Sequence, residues 1–478
     1  MSYRKESDSL GEMQVPSDAY YGVQTQRAVE NFNISGMKPF PEFIWATAVV
    51  KLAAARANMA AGGLDRKTGE AIATAAQEII NGKFHDQFVV DVFQAGAGTS
   101  HNMNANEVIA NRAVELLGGR RGDYSMVHPN DHVNMSQSTN DTIPTEIRLV
   151  SIRMIGELVG ELKALTKSLR RKAKQFDSIV KSGRTHLEDA APVRLGQEFD
   201  AYANMLEYDL HRLVRARELL GELNIGATAV GTGVNADPAY VTSVIAELRK
   251  ITGFHVRNAK SLMAVTQSMA DFVDASGAVR ALGVDMTKIA NDFRLMNSGP
   301  ITGLAEISLP AVQPGSSIMP GKVNPVIAEC MNMIAFQSFG NDLSITMAGQ
   351  AGQLELNVMM PLIAFDMVFN LKIMRKGLAM FREKMVDGIV ANADRCREMV
   401  ERTPGIALAL NPYIGYEKAA QAVKESLKTG KSIRDVVRQK GWLSEEELGV
   451  ILDLYSMTEP GVKGRRGKVK RAARKKVD

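Results

Sequence analysis

Residues 141–176 read DTIPTEIRLVSIRMIGELVGELKALTKSLRRKAKQF, and this stretch decides the fold class. Its apolar side chains recur at intervals of three and four residues, at Ile147, Val150, Met154, Leu158, Leu162, Leu165 and Leu169. This spacing predicts a helix with one apolar stripe that ends near Phe176. At ~1.5 Å per residue, a helix of ~30 residues is about 45 Å long, more than a small domain needs.

Four later stretches repeat the helical spacing, at residues 199–220, 262–296, 326–347 and 356–385. Long apolar helices of this kind pack as a bundle and bury further apolar surface between subunits. The sequence therefore predicts a mainly α fold with a central long-helix bundle, in an obligate oligomer.

A chain of 478 residues is too long for one hydrophobic core, so several domains are expected. Residues 1–140 mix short helical patterns with turns, which predicts a mixed, mostly helical N-terminal domain. Residues 141–395 make up the predicted central bundle domain. Residues 396–478 hold short helical patterns separated by glycines, which predicts a small C-terminal helical domain that ends in a basic tail.

Cysteine content and charge exclude several classes of protein. Only Cys330 and Cys396 occur, which excludes a disulfide framework and indicates a reducing cytoplasm. No apolar run reaches ~18 residues, so no membrane-spanning segment is expected. The net charge of +5 arises from residues 460–478, which contain nine Lys or Arg and one Asp. This tail is typical of a nucleic-acid-binding arm, but it has no aromatic residues and the rest of the chain is mildly acidic, which favours a solvated terminus.

The segment Gln313–Pro325, QPGSSIMPGKVNP, is the strongest candidate for a functional loop. Its three prolines and two glycines exclude a regular helix or strand. Looped backbone leaves amide groups free to point at an anion, and Lys322 and Asn324 lie beside them in sequence. We interpret the segment as a carboxylate-binding loop that presents Ser316 and Ser317, although turn-rich segments are also common as plain surface connections.

Three more polar segments lie at the ends of helical patterns, at Gln94–Asn104, Asn134–Asp141 and Ser182–Pro192. They supply hydroxyl and amide groups, and they contain neither paired carboxylates nor a cofactor fingerprint. Ser138–Asp141 also fit the start of a helix, which itself attracts anions. All four loops therefore suit the binding of a small polyanionic substrate.

The residue types in these loops favour a reaction that runs on protein groups alone. His128 and His132 have a metal-binding spacing, but the turn residues between them argue against a shared helix face, so no metal site is predicted. Removing a proton beside a carboxylate creates negative charge, which preorganised neutral donors stabilise. Elimination or addition beside a carboxylate fits this donor set, and a serine base is plausible where amides and Lys322 hold its alkoxide.

Three motifs in the chain resemble the active-site signatures of the aspartase/fumarase superfamily. They are Gly315–Pro325, Gly183–Asp189 and Gln137–Asp141, and they stand in the family's order. The resemblance covers nearly the whole chain. It implies a three-domain fold whose central bundles assemble into the twenty-helix core of a homotetramer, with active sites each built from three subunits.

Within the superfamily, Gly96–Ser100 and Thr139 resemble the aspartase branch more than class II fumarases, whereas Met360 departs from the pattern of both branches. The aspartase branch implies a reversible anti elimination of ammonia from L-aspartate to give fumarate, without a cofactor. Hydration of fumarate to L-malate stays open as the alternative.

The same resemblance implies roles for eleven residues. Ser316 resembles the base that removes the Cβ proton, His186 lies near the leaving amino group, and Glu329 resembles the carboxylate that orients the histidine. The others resemble substrate-binding groups: Thr99, Ser138, Thr139 and Ser317 for the β-carboxylate, Thr185, Lys322 and Asn324 for the α-carboxylate, and Asn140 for the amino group.

Two readings from other functional classes also stay open. One is a structural protein that keeps this fold after losing catalysis, against which Ser316, Lys322 and Asn324 argue because all three are intact. The other is a nucleic-acid-binding protein that uses the basic tail.

Overall fold

The structure, a computed structural model, describes residues 2–464 and is mainly α-helical in this range, which confirms the predicted fold class. Its α-helices are α1 Val23–Asn31, α2 Pro41–Ala60, α3 Arg66–Ile80, α4 Thr99–Leu116, α5 Thr139–Gln175, α6 Leu195–Leu219, α7 Pro238–Thr252, α8 Leu262–Gln267, α9 Ala270–Met296, α10 Val326–Gln350, α11 Met360–Lys384, α12 Ala393–Arg402, α13 Asn411–Ile414, α14 Tyr416–Thr429, α15 Ile433–Gln439 and α16 Glu445–Ile451. Residues 465–478, which make up most of the basic tail, lie outside the described residues.

The strands are short and form four two-stranded sheets within the described part of the chain. They are β1 Tyr3–Asp8 with β2 Gly11–Pro16, β3 Val180–Thr185 with β4 Glu188–Arg194, β5 Glu222–Leu223 with β6 Arg257–Asn258, and β7 Ile307–Ser308 with β8 Val390–Ala391. Of these four described pairs, only that of β5 and β6 is parallel.

Helix α5 is 37 residues long and carries the stripe that the sequence predicts. All seven stripe residues are at most 1% exposed to solvent. Pro144 lies inside the helix, where proline removes the amide hydrogen that would bond the carbonyl four residues earlier. The side-chain amide of Asn224 replaces this donor at 3.1 Å from Asn140 O, so this carbonyl is not left free.

The predicted helix over residues 262–296 is two helices. Ser261 caps α8 by accepting a hydrogen bond from Ala264 N, and Ser268 has extended backbone angles that end the helix. Helix α9 then begins at Ala270. The apolar spacing continues across the break, which is why periodicity alone predicts one helix.

The chain divides into two compact units. The first contains residues up to 163, 207–288 and 330–379. In it, α2 packs on α3 and α7, and Leu52, Ile72 and Val108 belong to one buried apolar cluster.

The second unit contains residues 164–206, 289–329 and 380 onward. Phe199 stacks on Phe293, and Phe293 stacks on Phe381, at ring distances of 5.2 and 6.0 Å. A separate apolar cluster near the end of the unit includes Val436 and Leu448 from α15 and α16. The three-domain division at residues 140 and 395 stays a prediction.

Within residues 2–464, no helix is both long enough and apolar enough to cross a lipid bilayer.

Candidate active site

Two helix starts meet at a pair of threonine hydroxyls in the first unit. Thr99 is the first residue of α4 and Thr139 the first of α5, and their Oγ1 atoms are 3.1 Å apart. Gly98, at φ +101°, makes the approach possible, because a Cβ atom there would lie 2.9 Å from Ile143. Free amide groups at helix starts favour a bound anion, so this corner can hold a carboxylate.

A buried lysine is linked to the threonine pair through Asn102. Lys51 is fully buried, and its ammonium group donates to Asn102 Oδ1 at 2.7 Å and to Asn134 Oδ1 and Gln137 Oε1 at 3.1 Å. Asn102 Nδ2 in turn lies 3.4 Å from Thr139 Oγ1. Lys51 was not among the predicted site residues, and the available signal was a cation inside the alanine-rich apolar run of α2.

Burial shifts the ionisation of the groups around this lysine. It lowers the pKa of Lys51 and raises the pKa of Glu146. Burial and the positive charge of Lys51 lower the pKa of His101 to about 3, so this histidine is neutral at physiological pH. His101 therefore contributes a hydrogen bond to Thr47, at 2.8 Å, and no charge.

Ser138 and Asn140 lie at the same helix start as Thr139. Ser138 Oγ accepts a hydrogen bond from Asn140 N at 3.2 Å, and Ser138 N donates to Asp141 Oδ1 at 2.8 Å. The structure thus brings Thr99, Ser138, Thr139 and Asn140 together in the first unit. His132 lies in a separate π-helical turn, Pro129–Val133, and His128 precedes this turn as its N-cap.

The remaining predicted site residues belong to the second unit. Thr185 ends β3 and pairs with Glu188, which leaves His186 and Leu187 as a two-residue hairpin loop. Their φ angles are +56° and +65°, the arrangement of a type I′ turn. Such turns normally contain asparagine and glycine, so a histidine and a 73% exposed leucine are held there under strain. Strain of this kind supports a functional role for His186.

Buried charges anchor this hairpin. Glu306 is fully buried and forms ion pairs of 2.8 Å with Lys181 and Arg184 of β3. Lys181 also pairs with Glu198 at 3.0 Å. The residue that precedes Thr185 in the chain is therefore fixed by a salt bridge in the protein interior.

Glu306→Gln is expected to lower the free energy of unfolding by about 3 kcal/mol, because removing one partner of a buried ion pair leaves the other charge uncompensated. Urea denaturation measures the loss. Glu398→Gln is the matched control, since Glu398 pairs with Arg395 at the surface and about half of its side chain is exposed. It should cost less than about 1 kcal/mol. Equal losses in both variants would contradict a buried anchor.

The loop Gln313–Pro325 is closed at its base by backbone contacts. Gly315 N donates to Lys322 O at 2.8 Å, and Asn324 Nδ2 donates to Gly315 O at 2.6 Å. A Cβ atom at Gly315 would lie 2.5 Å from Asn324 N, so only glycine permits this closure. The sequence prediction of a looped backbone is confirmed.

Inside this loop, two backbone amides point at Ser316. Met319 N and Ile318 N donate to its Oγ at 2.9 and 3.3 Å. Amide donors stabilise an oxyanion more than a neutral hydroxyl, so they favour ionisation of the serine. Ser317 and Lys322 are exposed in the single chain, and Glu329 lies in the first turn of α10. Among residues 2–464, no three His, Cys, Asp or Glu side chains group as metal ligands.

Comparison with known proteins identifies the family. A family model described as "Lyase" matches residues 11–340, and a second, described as "Fumarase C C-terminus", matches residues 406–459. The aspartate ammonia-lyase of Bacillus subtilis is 51% identical over 463 residues, covering 97% of this chain and 98% of that protein. The chain belongs to the aspartate ammonia-lyase family. The resemblance inferred from the three motifs is confirmed.

Solved structures agree with membership of the aspartate ammonia-lyase family. A Brucella melitensis protein described as fumarate lyase:delta crystallin is 47% identical, with a TM-score of 0.93 over 96% of this chain and all of that one. A class II fumarase from Schistosoma mansoni also has a TM-score of 0.93, over 96% of this chain and 99% of that one, but is only 33% identical. The fold is therefore common to both branches, while sequence identity is greater with the aspartate ammonia-lyase than with the class II fumarase.

Proposed function

We propose that this protein is an aspartate ammonia-lyase, which converts L-aspartate into fumarate and ammonia by a reversible anti elimination. The observation that carries the proposal is the 51% identity to the B. subtilis aspartate ammonia-lyase over nearly the entire length of both chains. The geometry of the serine loop and of the threonine pair supports the same chemistry.

In the proposed mechanism, Ser316 acts as the base. Its oxygen takes the Cβ proton, the electron pair of that C–H bond forms the C=C bond, and the Cα–N bond breaks with its electrons leaving on nitrogen. The amides of Ile318 and Met319 support the ionised serine. Because deprotonation adds negative charge to the β-carboxylate, donors arranged in advance lower the barrier.

We assign the substrate groups to the same residues that the family resemblance implies. The β-carboxylate would bind at Thr99, Ser138 and Thr139, where two helix starts and the buried charge of Lys51 favour an anion. The α-carboxylate would bind at Thr185, Lys322 and Asn324, with Ser317 closing over the β-carboxylate. His186, oriented by Glu329, and Asn140 would receive the leaving amine.

We propose a homotetramer, because α10 presents an exposed apolar seam. Met333, Phe336, Gly340, Leu343 and Met347 alternate at spacings of three and four residues, and their large side chains are 54–62% exposed. This heptad spacing is the pattern by which helices of different chains interlock. A site assembled from several chains would follow from such an assembly.

Leu343→Glu is expected to break up the oligomer, because it places a charge in the middle of the apolar seam. Light scattering coupled to size exclusion would measure the mass. Lys376→Glu, on the neighbouring α11, is a charge-changing control that should leave the mass of the assembly unchanged. A Leu343→Glu variant with the mass of the wild type would argue against the seam.

We place the enzyme in the cytoplasm, because both of its cysteines, Cys330 and Cys396, are free thiols.

The proposal is tested by incubating the protein with fumarate, with and without ammonium, and identifying the product. L-aspartate that forms only with ammonium is the expected result. L-malate as the only product would instead establish a fumarate hydratase, and no product from either mixture would favour a structural protein that has lost catalysis.

A further inference from the structure

Asn140 is held from two sides by a short segment of the first unit, residues 224–229, which we call the positioning segment. The side-chain amide nitrogen of Asn140 donates to Ala229 O at 2.7 Å. Its main-chain carbonyl accepts from Asn224 Nδ2 at 3.1 Å, and this carbonyl is available only because Pro144 cannot bond it. Both the backbone and the side chain of Asn140 are therefore fixed by the same segment.

These contacts determine which way the Asn140 amide faces. A backbone carbonyl is only an acceptor, so Ala229 O requires the nitrogen of the amide and turns its oxygen the other way. No donor among residues 2–464 meets this Oδ1 atom. An ammonium group has three hydrogen-bond donors and no acceptor. The Asn140 Oδ1 atom, which accepts no other hydrogen bond from the described residues, is therefore a suitable partner for it.

Asp141 fixes the positioning segment itself. Its Oδ2 atom accepts hydrogen bonds from Gly226 N and Thr228 N, both at 3.0 Å, while Oδ1 accepts from Ser138 N. Thr228 has φ +55°, which is rare for a β-branched residue, and its buried hydroxyl has no partner within the described residues. Strain of this kind persists only where the surroundings hold the backbone in place, and it collects at functional sites.

We infer that Asp141 and residues 224–229 are positioning residues that aim Asn140 Oδ1 at the amino group of the substrate. The inference rests on the proposed function. In this role, their effect on the substrate passes through the orientation of one amide.

Asn140→Asp tests the orientation directly. A carboxylate has the same shape but cannot donate to Ala229 O, which would repel it. We expect the KM for ammonium in aspartate synthesis to rise at least tenfold, with the KM for fumarate within twofold of the wild type. If the positioning segment has no part in aiming the side chain, the added negative charge should bind ammonium more tightly and lower its KM, which would overturn the inference.

Asp141→Asn extends the test to the segment, because one of its two terminal atoms then becomes a donor facing amide hydrogens. The same selective rise in the KM for ammonium is expected. Asp237→Asn is the matched control, since Asp237 is exposed and accepts a hydrogen bond from Ala239 N just after the segment. Thermal melts show whether Asp141→Asn folds. If it does not fold, the result for Asn140→Asp alone decides whether the inference stands.

The two proposals fail in different ways. A wild-type protein that forms no aspartate from fumarate and ammonium refutes the proposed function. A wild-type protein that does form it, with both variants raising the KM for fumarate and for ammonium equally, refutes only the positioning role.

Discussion

Replacing Ser316 by alanine is expected to lower kcat by about 10²- to 10⁴-fold, the range for losing a positioned proton-transfer group. The oxygen of Ser316 is the acceptor for two backbone amides, at 2.9 and 3.3 Å, and alanine leaves these donors with nothing to stabilise. The measurement is fumarate formation from L-aspartate at saturating substrate, together with KM.

Ser317→Ala is the matched control for Ser316→Ala. The two serines are adjacent in the same loop, but the role proposed for Ser317 is to bind a carboxylate, so its loss should raise KM more than it lowers kcat. A Ser316→Ala enzyme with near-normal kcat would remove Ser316 from the mechanism. The same would follow if both variants changed kcat and KM in the same proportion.

Mixing two inactive variants is expected to restore activity if each site takes its parts from different chains. The variants are Thr139→Ala, in the first unit, and Ser316→Ala, in the second. In a tetramer reassembled from equal amounts of both, about one quarter of the sites would contain neither substitution. Activity should then rise from near zero to roughly a quarter of the wild type, measured after joint unfolding and refolding.

The control for this experiment is a mixture of Ser316→Ala with Lys322→Ala. Both substitutions lie in the loop Gln313–Pro325, so any site that takes this loop from one chain always contains one of them. This mixture should stay inactive. If the first mixture also stays inactive, the proposal of sites shared between chains is wrong.

The helical part of the fold was predictable from the sequence because a helix buried on one face has apolar residues at intervals of three and four. The stripe from Ile147 to Leu169 is buried at every predicted position. Capping and breaks depend on single residues. Ser268 ends α8 but leaves the apolar spacing unchanged, so the break between α8 and α9 was not visible in the pattern.

The details of the candidate site were less predictable. The looped backbone of Gln313–Pro325 follows from its prolines and glycines, whereas the contact of Ser316 with two amides depends on how that loop closes. Lys51 lies in a helix far away in sequence from the loops it supports. The hydrogen bonds that hold Asn140 come from Asn224 and Ala229, and no local sequence pattern connects these two residues with Asn140.

The His186–Leu187 turn has a consequence for anyone who seeks a more heat-resistant variant of this protein. Selection for thermal tolerance alone would favour Asn-Gly at these two positions, because that dipeptide adopts positive φ at little cost. Such a variant would be more stable to heat but would lack the imidazole of His186. Screens for shelf life should therefore score turnover in the same round, or leave positions 186 and 187 out of the library.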